Sequence, residues 1–112
     1  MTTVNYNDAN LVMVGVDSGG SDMFEYNGQP FTGTIEEYDG SNNLIAEMEY
    51  VNGYVEGIQK FYHANGQLEE EYRDLNNIAV DYYKYWNDQG YLIYHATFDN
   101  KGSLISTIVD NR

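Results

Sequence analysis

The sequence predicts an all-β fold: an antiparallel meander of about nine strands in one twisted, curled sheet. Two observations carry this. Aromatic residues recur every 24 positions, at Tyr38, Tyr62 and Trp86, and each is followed six residues later by a leucine, Leu44, Leu68 and Leu92. Glycine or an Asn-Gly-type pair also interrupts the chain about every dozen residues, so no segment sustains helical periodicity.

Each element follows from that repeat. Asn-Gly, Asp-Gly and Gln-Gly pairs supply the positive φ angles of tight hairpins. Between them stand short runs rich in Tyr, Ile, Val, Phe and Leu, which is strand composition. Strands are expected at 11–16, 22–27, 32–39, 43–50, 56–63, 67–74, 79–86, 91–98 and 103–109. About three 24-residue hairpin units fill 24–104, and a further half-period copy is seeded by Phe98 and Leu104. Residues 1–23 do not repeat; their apolar run at 11–16 is expected to cover the first sheet edge. Residues 105–112 form the C-terminal end. The whole is one domain of 112 residues.

Alternation along the strands predicts two faces. One holds Tyr38, Tyr62 and Trp86, Leu44, Leu68 and Leu92, with Met48, Tyr50, Tyr72 and Phe98; it is the expected core. The other carries Glu37, Glu47, Glu49, Glu69 and Glu71 mixed with Ile35, Phe61, Tyr83 and Tyr85. Of these, the five glutamates with Phe61, Tyr83 and Tyr85 are the candidate partner-binding residues, because aromatic side chains anchor interfaces at small entropic cost.

Composition narrows the function. Eighteen Asp and Glu against five Lys and Arg leave a net charge of −13. Such a surface repels nucleic acid and anionic lipid, attracts a basic protein and raises its association rate. With 42% hydrophobic residues and 12 tyrosines, the chain is too apolar for a disordered acidic tail. There is no cysteine, hence no disulfide, thiolate metal site or cysteine catalysis. The first basic residue is Lys60, so no secretory leader is expected, and the expected compartment is the cytoplasm.

No enzyme is expected. Glu47 and Glu71 lie one repeat apart, about 9.5 Å across two strand spacings, where surface carboxylates coexist without catalysis. His63 and His95 are the only histidines and lack metal-ligand spacing. The oxygen-rich stretches at 39–42 and 99–102 lack the full calcium-loop pattern and read as turns. No nucleophile elbow or phosphate loop is present. Neither a cofactor nor a metal is expected.

The pattern Y-x-N-G-x-x-x-G-x-x-x-x-Y-x-x-x-G-x-L-x-x-E, carried by Tyr50, Asn52, Gly53, Gly57, Tyr62, Gly66, Leu68 and Glu71, resembles the MORN-type repeat. It looks closest to the variant in YwqK-like bacterial antitoxins and immunity proteins. The preceding unit matches through Tyr26, Gly28, Gly33, Tyr38, Leu44 and Glu47, and the third departs at Asn77, Asp81 and His95. The resemblance implies an immunity or antitoxin protein, monomeric when free, that occludes a cognate, basic toxin. The alternative is a structural scaffold whose repeats assemble through edge strands. A small-molecule binder would instead show one deep pocket.

Overall fold

The computed structural model describes residues 2–110, so the last two positions of the predicted C-terminal end lie outside the described residues. It is all-β, and the described residues contain no helix. In chain order the strands are β1 (Thr3–Asn5), β2 (Leu11–Val16), β3 (Asp22–Tyr26), β4 (Gln29–Pro30), β5 (Gly33–Tyr38) and β6 (Leu44–Val51). They continue as β7 (Tyr54–Tyr62), β8 (Leu68–Leu75), β9 (Ile78–Trp86), β10 (Leu92–Phe98) and β11 (Leu104–Val109). The nine expected strands are β2, β3 and β5 to β11, each within two residues of its predicted ends. The two short strands β1 and β4 carry too few residues to show a period.

Strands β5 to β11 form the antiparallel meander, and β1 adds to β5 in parallel to complete an eight-stranded open sheet. Strands β2, β3 and β4 form a separate three-stranded sheet. Here the expectation for 11–16 is corrected. Its residues do not cover the first edge of the main sheet; β1 does, through Thr34 N to Thr2 O (2.8 Å) and Tyr6 N to Glu36 O (2.7 Å).

Two kinds of turn explain the 24-residue period. At one end of the sheet, two-residue turns at Asn52-Gly53 and Asn76-Asn77 place both residues at φ between 51° and 88°, and Asn27-Gly28 does the same between β3 and β4. This is the type I′ geometry that matches strand twist, and Asn77 adopts it without glycine. The longer loops share a second geometry. Their first residue, Asp17, Asp39, His63, Asn87 or Asp99, accepts the amide three residues on and donates to the carbonyl four residues on. The fourth residue of each is left-handed: Gly20, Asn42, Gly66, Gly90 or Gly102. In four of these loops the first side chain reinforces the turn, its Oδ1 accepting the amides two and four residues ahead at 2.8–3.0 Å. His63 is the exception.

The repeated aromatic and leucine close these loops. Tyr38 pairs with Leu44, Tyr62 with Leu68, Trp86 with Leu92 and Phe98 with Leu104, each pair directly opposite beside its loop. Their recurrence reports hairpin closure, and they are not the main core.

Bulges explain why. Beside each closing pair the register slips, and it slips again at Gly57 and near Asp81. The slips beside the closing pairs are of one residue and exchange the faces for the residues beyond them, whereas those at Gly57 and near Asp81 are of two residues and keep the faces. Met48, Tyr50 and Tyr72 therefore lie on the same face as Ile35, Glu37, Phe61, Tyr83 and Tyr85, here called the front. Tyr38, Leu44, Tyr62, Leu68, Trp86 and Leu92 lie on the back with Glu47, Glu49 and Glu71. The predicted division into an apolar and an acidic face is corrected: each face carries both kinds.

The core sits at the front of the first strands. Val4, Phe24, Phe31, Ile35 and Tyr50 form a buried cluster, flanked by Leu11, Tyr26, Met48 and Val55. Phe24 of β3 packs edge-on to Tyr50 with centroids 5.3 Å apart, and its amide bonds Gly53 O (3.1 Å). The three-stranded sheet is thereby pinned over β5, β6 and β7. Burying side chains of this size contributes roughly 1.5–3 kcal/mol each.

Candidate partner-binding surface

The front face continues past the three-stranded sheet, and there it has no cover. Across β7, β8, β9 and β10 it carries a ladder of half-buried rings: Phe61, Tyr72, Tyr83 and Tyr94. Successive centroids are 6.1, 5.8 and 5.9 Å apart; the first two contacts are near-parallel and the third is edge-on. The ladder follows from register. Tyr72 and Tyr83 are directly opposite, whereas Phe61 faces Glu70 and Tyr94 faces Tyr85, so their rings reach the ladder diagonally. The small Ala96 opposite Tyr83 is fully buried beneath the rings.

Carboxylates stand among these rings. Tyr83 OH donates to Glu70. Asp74, on the same face of β8, is half-buried, and desolvation raises its carboxyl above the usual range. Its carboxylate makes no hydrogen bond or ion pair among the described residues. A half-desolvated carboxylate beside aromatic rings is a good receptor for a guanidinium, which can stack on the ring and bond the oxygens. At the loop end His63 extends the surface: Nε2 donates to Trp86 O (2.8 Å), Nδ1 lies 3.2 Å from Glu69 Oε2, and the ring meets Tyr85 edge-on at 6.3 Å.

The structure brings together only part of the predicted set. Phe61, Tyr83 and Tyr85 share the front surface, with Glu69 at its loop-end bulge. Glu37 lies on the same face but on β5, two strands before the ladder starts. Glu47, Glu49 and Glu71 are on the back, and each is engaged within the sheet. Glu47 accepts from Tyr62 OH, Glu71 from Tyr82 OH (2.5 Å), and Glu49 from Ile58 N (2.6 Å) at the Gly57 bulge. Between the first two runs a cross-strand row of Glu47, Lys60, Glu71 and Lys84, so these carboxylates alternate with cations. Sequence reasoning missed Glu70, Asp74 and Tyr94. The signal that finds them is the 24-residue spacing of the closing leucines, because a one-residue bulge follows each of Leu44, Leu68 and Leu92 and alternation shifts there.

Burial also sets how the tyrosines titrate. Desolvation pushes Tyr72 up to about 12, with Asp74 and Glu70 adding to the rise, and Tyr50 to about 12 for the same first reason. Tyr83 is raised by burial and then by its bond to Glu70. A phenol whose folded pKa exceeds its unfolded value of 10.0 contributes stability that is full below pH 10 and lost as pH rises through about 12. The chain is therefore expected to unfold in that window, with these phenolates appearing as the structure melts. One absorbance wave near pH 10 for all 12 tyrosines, in a protein still folded by circular dichroism, would contradict the packing described.

A separate cleft of about 740 Å³ lies between the 17–21 loop and the two-residue turns, lined by Asp17, Met23, Asn52, Tyr54, Glu56 and Asn77 among others. Asn77 Nδ2 donates to Asp17 Oδ2 (2.8 Å) and ties the small sheet to the large one. Among the described residues no group of three or more His, Asp or Glu is placed to hold a metal, and no helix is long and apolar enough to cross a membrane.

Comparison of the chain with family models, curated proteins and solved structures finds no match.

Proposed function

We propose that this chain is an immunity-type protein that masks a basic toxin by receiving it on the uncovered half of the front face. The observation that carries this reading is the change of cover along one continuous surface. Over β5, β6 and the Tyr54 end of β7 the front is sealed by the three-stranded sheet; from Phe61 on β7 to Tyr94 on β10 the same surface carries the ring ladder, with Glu70 and Asp74 on β8. Half-exposed aromatic rings with carboxylates among them favour arginine-bearing partners, and the −13 charge accelerates their approach. The MORN-like pattern supports the same reading, and the cytoplasm is the compartment where a toxin-producing cell would need protection. Nucleic acid and anionic membranes are disfavoured as partners by charge.

The test is to express the products of the neighbouring genes and titrate any basic toxin among them with this chain. Tyr83→Ala combined with Tyr94→Ala is expected to weaken binding by at least about tenfold, a loss of 1.4 kcal/mol, with the fold retained by circular dichroism. Raising salt should slow association. Glu47→Lys and Glu71→Lys should act mainly on stability, because both glutamates accept tyrosine hydroxyls on the back face. Undiminished affinity in the double tyrosine variant would remove the ladder as the site. The scaffold reading has its own support in the exposed apolar edges of β2 and β11; open-ended polymers without a partner would favour it.

A further inference from the structure

We propose that β11 is a self-pairing edge, through which two copies of this chain join antiparallel across a two-fold axis at Thr107. Strand β11 ends the eight-stranded sheet, with β10 on one side only. All six of its residues are exposed, and Leu104, Ile105, Ile108 and Val109 stand 57–66% open. Edge strands are ordinarily guarded by lysine, proline or an inward charge. Positions 103–109 contain none of these, and the one register slip lies at the loop end, leaving 106–109 regular.

The backbone limits the register to a few choices. Asp110 N donates to Ile93 O (2.7 Å), so by alternation Ile108 and Ser106 bond inward to β10. Thr107 and Val109 accordingly turn their N–H and C=O outward. Thr107 set against Thr107 of a second copy makes a hydrogen-bonded pair. It also sets Ile105 of each copy, the extra residue of the bulge, opposite Val109 of the other, a β-branched contact. Such a pair is self-complementary, as a two-fold interface must be. The axis stands perpendicular to the sheet, so both ladders face the same side.

Charge distinguishes this occupant from the basic partner. The strand has no carboxylate to attract a cation, while each copy carries −13 and repels the other. Added salt should therefore strengthen the dimer, whereas it weakens binding of a basic protein. The inference stands independently of toxin binding.

Light scattering and sedimentation of the full chain are expected to show a concentration-dependent dimer whose share rises with salt. Thr107→Pro removes an outward amide that the fold itself leaves unused, and should weaken dimerisation at least about tenfold with the fold intact. Thr107→Cys introduces the sole thiol of a cysteine-free chain. Across a hydrogen-bonded pair the Cα atoms lie about 5.5 Å apart, within disulfide reach, so oxidation should yield a covalent dimer. Val14→Cys on the exposed β2 should not. A monomer at every salt concentration, a dimer untouched by Thr107→Pro, open-ended polymers, or cross-linking through Val14→Cys instead would each overturn the proposal.

Discussion

Phe24→Ala is expected to cost about 3–5 kcal/mol, a large part of the stability of a domain this size. Phe24 is 5% exposed and is the side chain by which the three-stranded sheet holds the main one. Its ring meets Tyr50 at 5.3 Å and Tyr6 at 6.1 Å, both edge-on. Its amide and carbonyl are also spoken for, by Gly53 O and Phe31 N. Truncation leaves a cavity between two sheets that cannot collapse onto each other without moving that backbone. Urea unfolding followed by tyrosine fluorescence measures the loss. A cost below about 1 kcal/mol would mean that the small sheet contributes little to holding the structure together.

Gly33→Ala should be nearly as damaging for a different reason. Gly33 has φ of 152°, and a Cβ there would lie 2.1 Å from Thr2 O and 2.9 Å from Phe31 Cζ. The first contact is with backbone, and that carbonyl accepts the Thr34 amide, so relief requires β1 to leave β5. The expected loss is at least about 2 kcal/mol, with strain from the unfavourable φ included. Amide exchange provides a local readout: Thr34 N and Tyr6 N, both bonded across the β1–β5 pair, should lose protection before the β7–β8 pair does. The uncovered β5 edge should also promote aggregation. Stability within about 0.5 kcal/mol of the parent would show that β1 adjusts freely.

The binding candidates show where sequence reading stops. Phe61, Tyr83 and Tyr85 were legible as a cluster because no bulge separates Tyr83 from Tyr85, and register carries their parity to Phe61. Tyr72 is legible as an apolar position, but plain alternation puts it on the wrong face, because the slip between Phe61 and Tyr62 separates it from Tyr62 and Leu68. Glu47 and Glu71 share a face one repeat apart, as alternation predicts. Their bonds to Tyr62 and Tyr82 depend on which residues lie across the strand, and no linear pattern states that.

Strand composition and turn chemistry are local properties, written residue by residue. From them alone follow the all-β class, the nine principal strands and the order of the seven that form the meander, β5 to β11, because Asn-Gly pairs and left-handed positions admit few alternatives to a hairpin. The placing of β2 and β3 in a second sheet does not follow from them. Which side of the sheet becomes core is a different matter. It turns on single-residue bulges that exchange the faces, and on the three-stranded sheet folding back over β5, β6 and β7. Both outcomes depend on packing between residues far apart in the chain, such as Phe24 with Tyr50 and Asp17 with Asn77. Only the folded chain brings those partners together, and by covering one half of the front face it leaves the other half open.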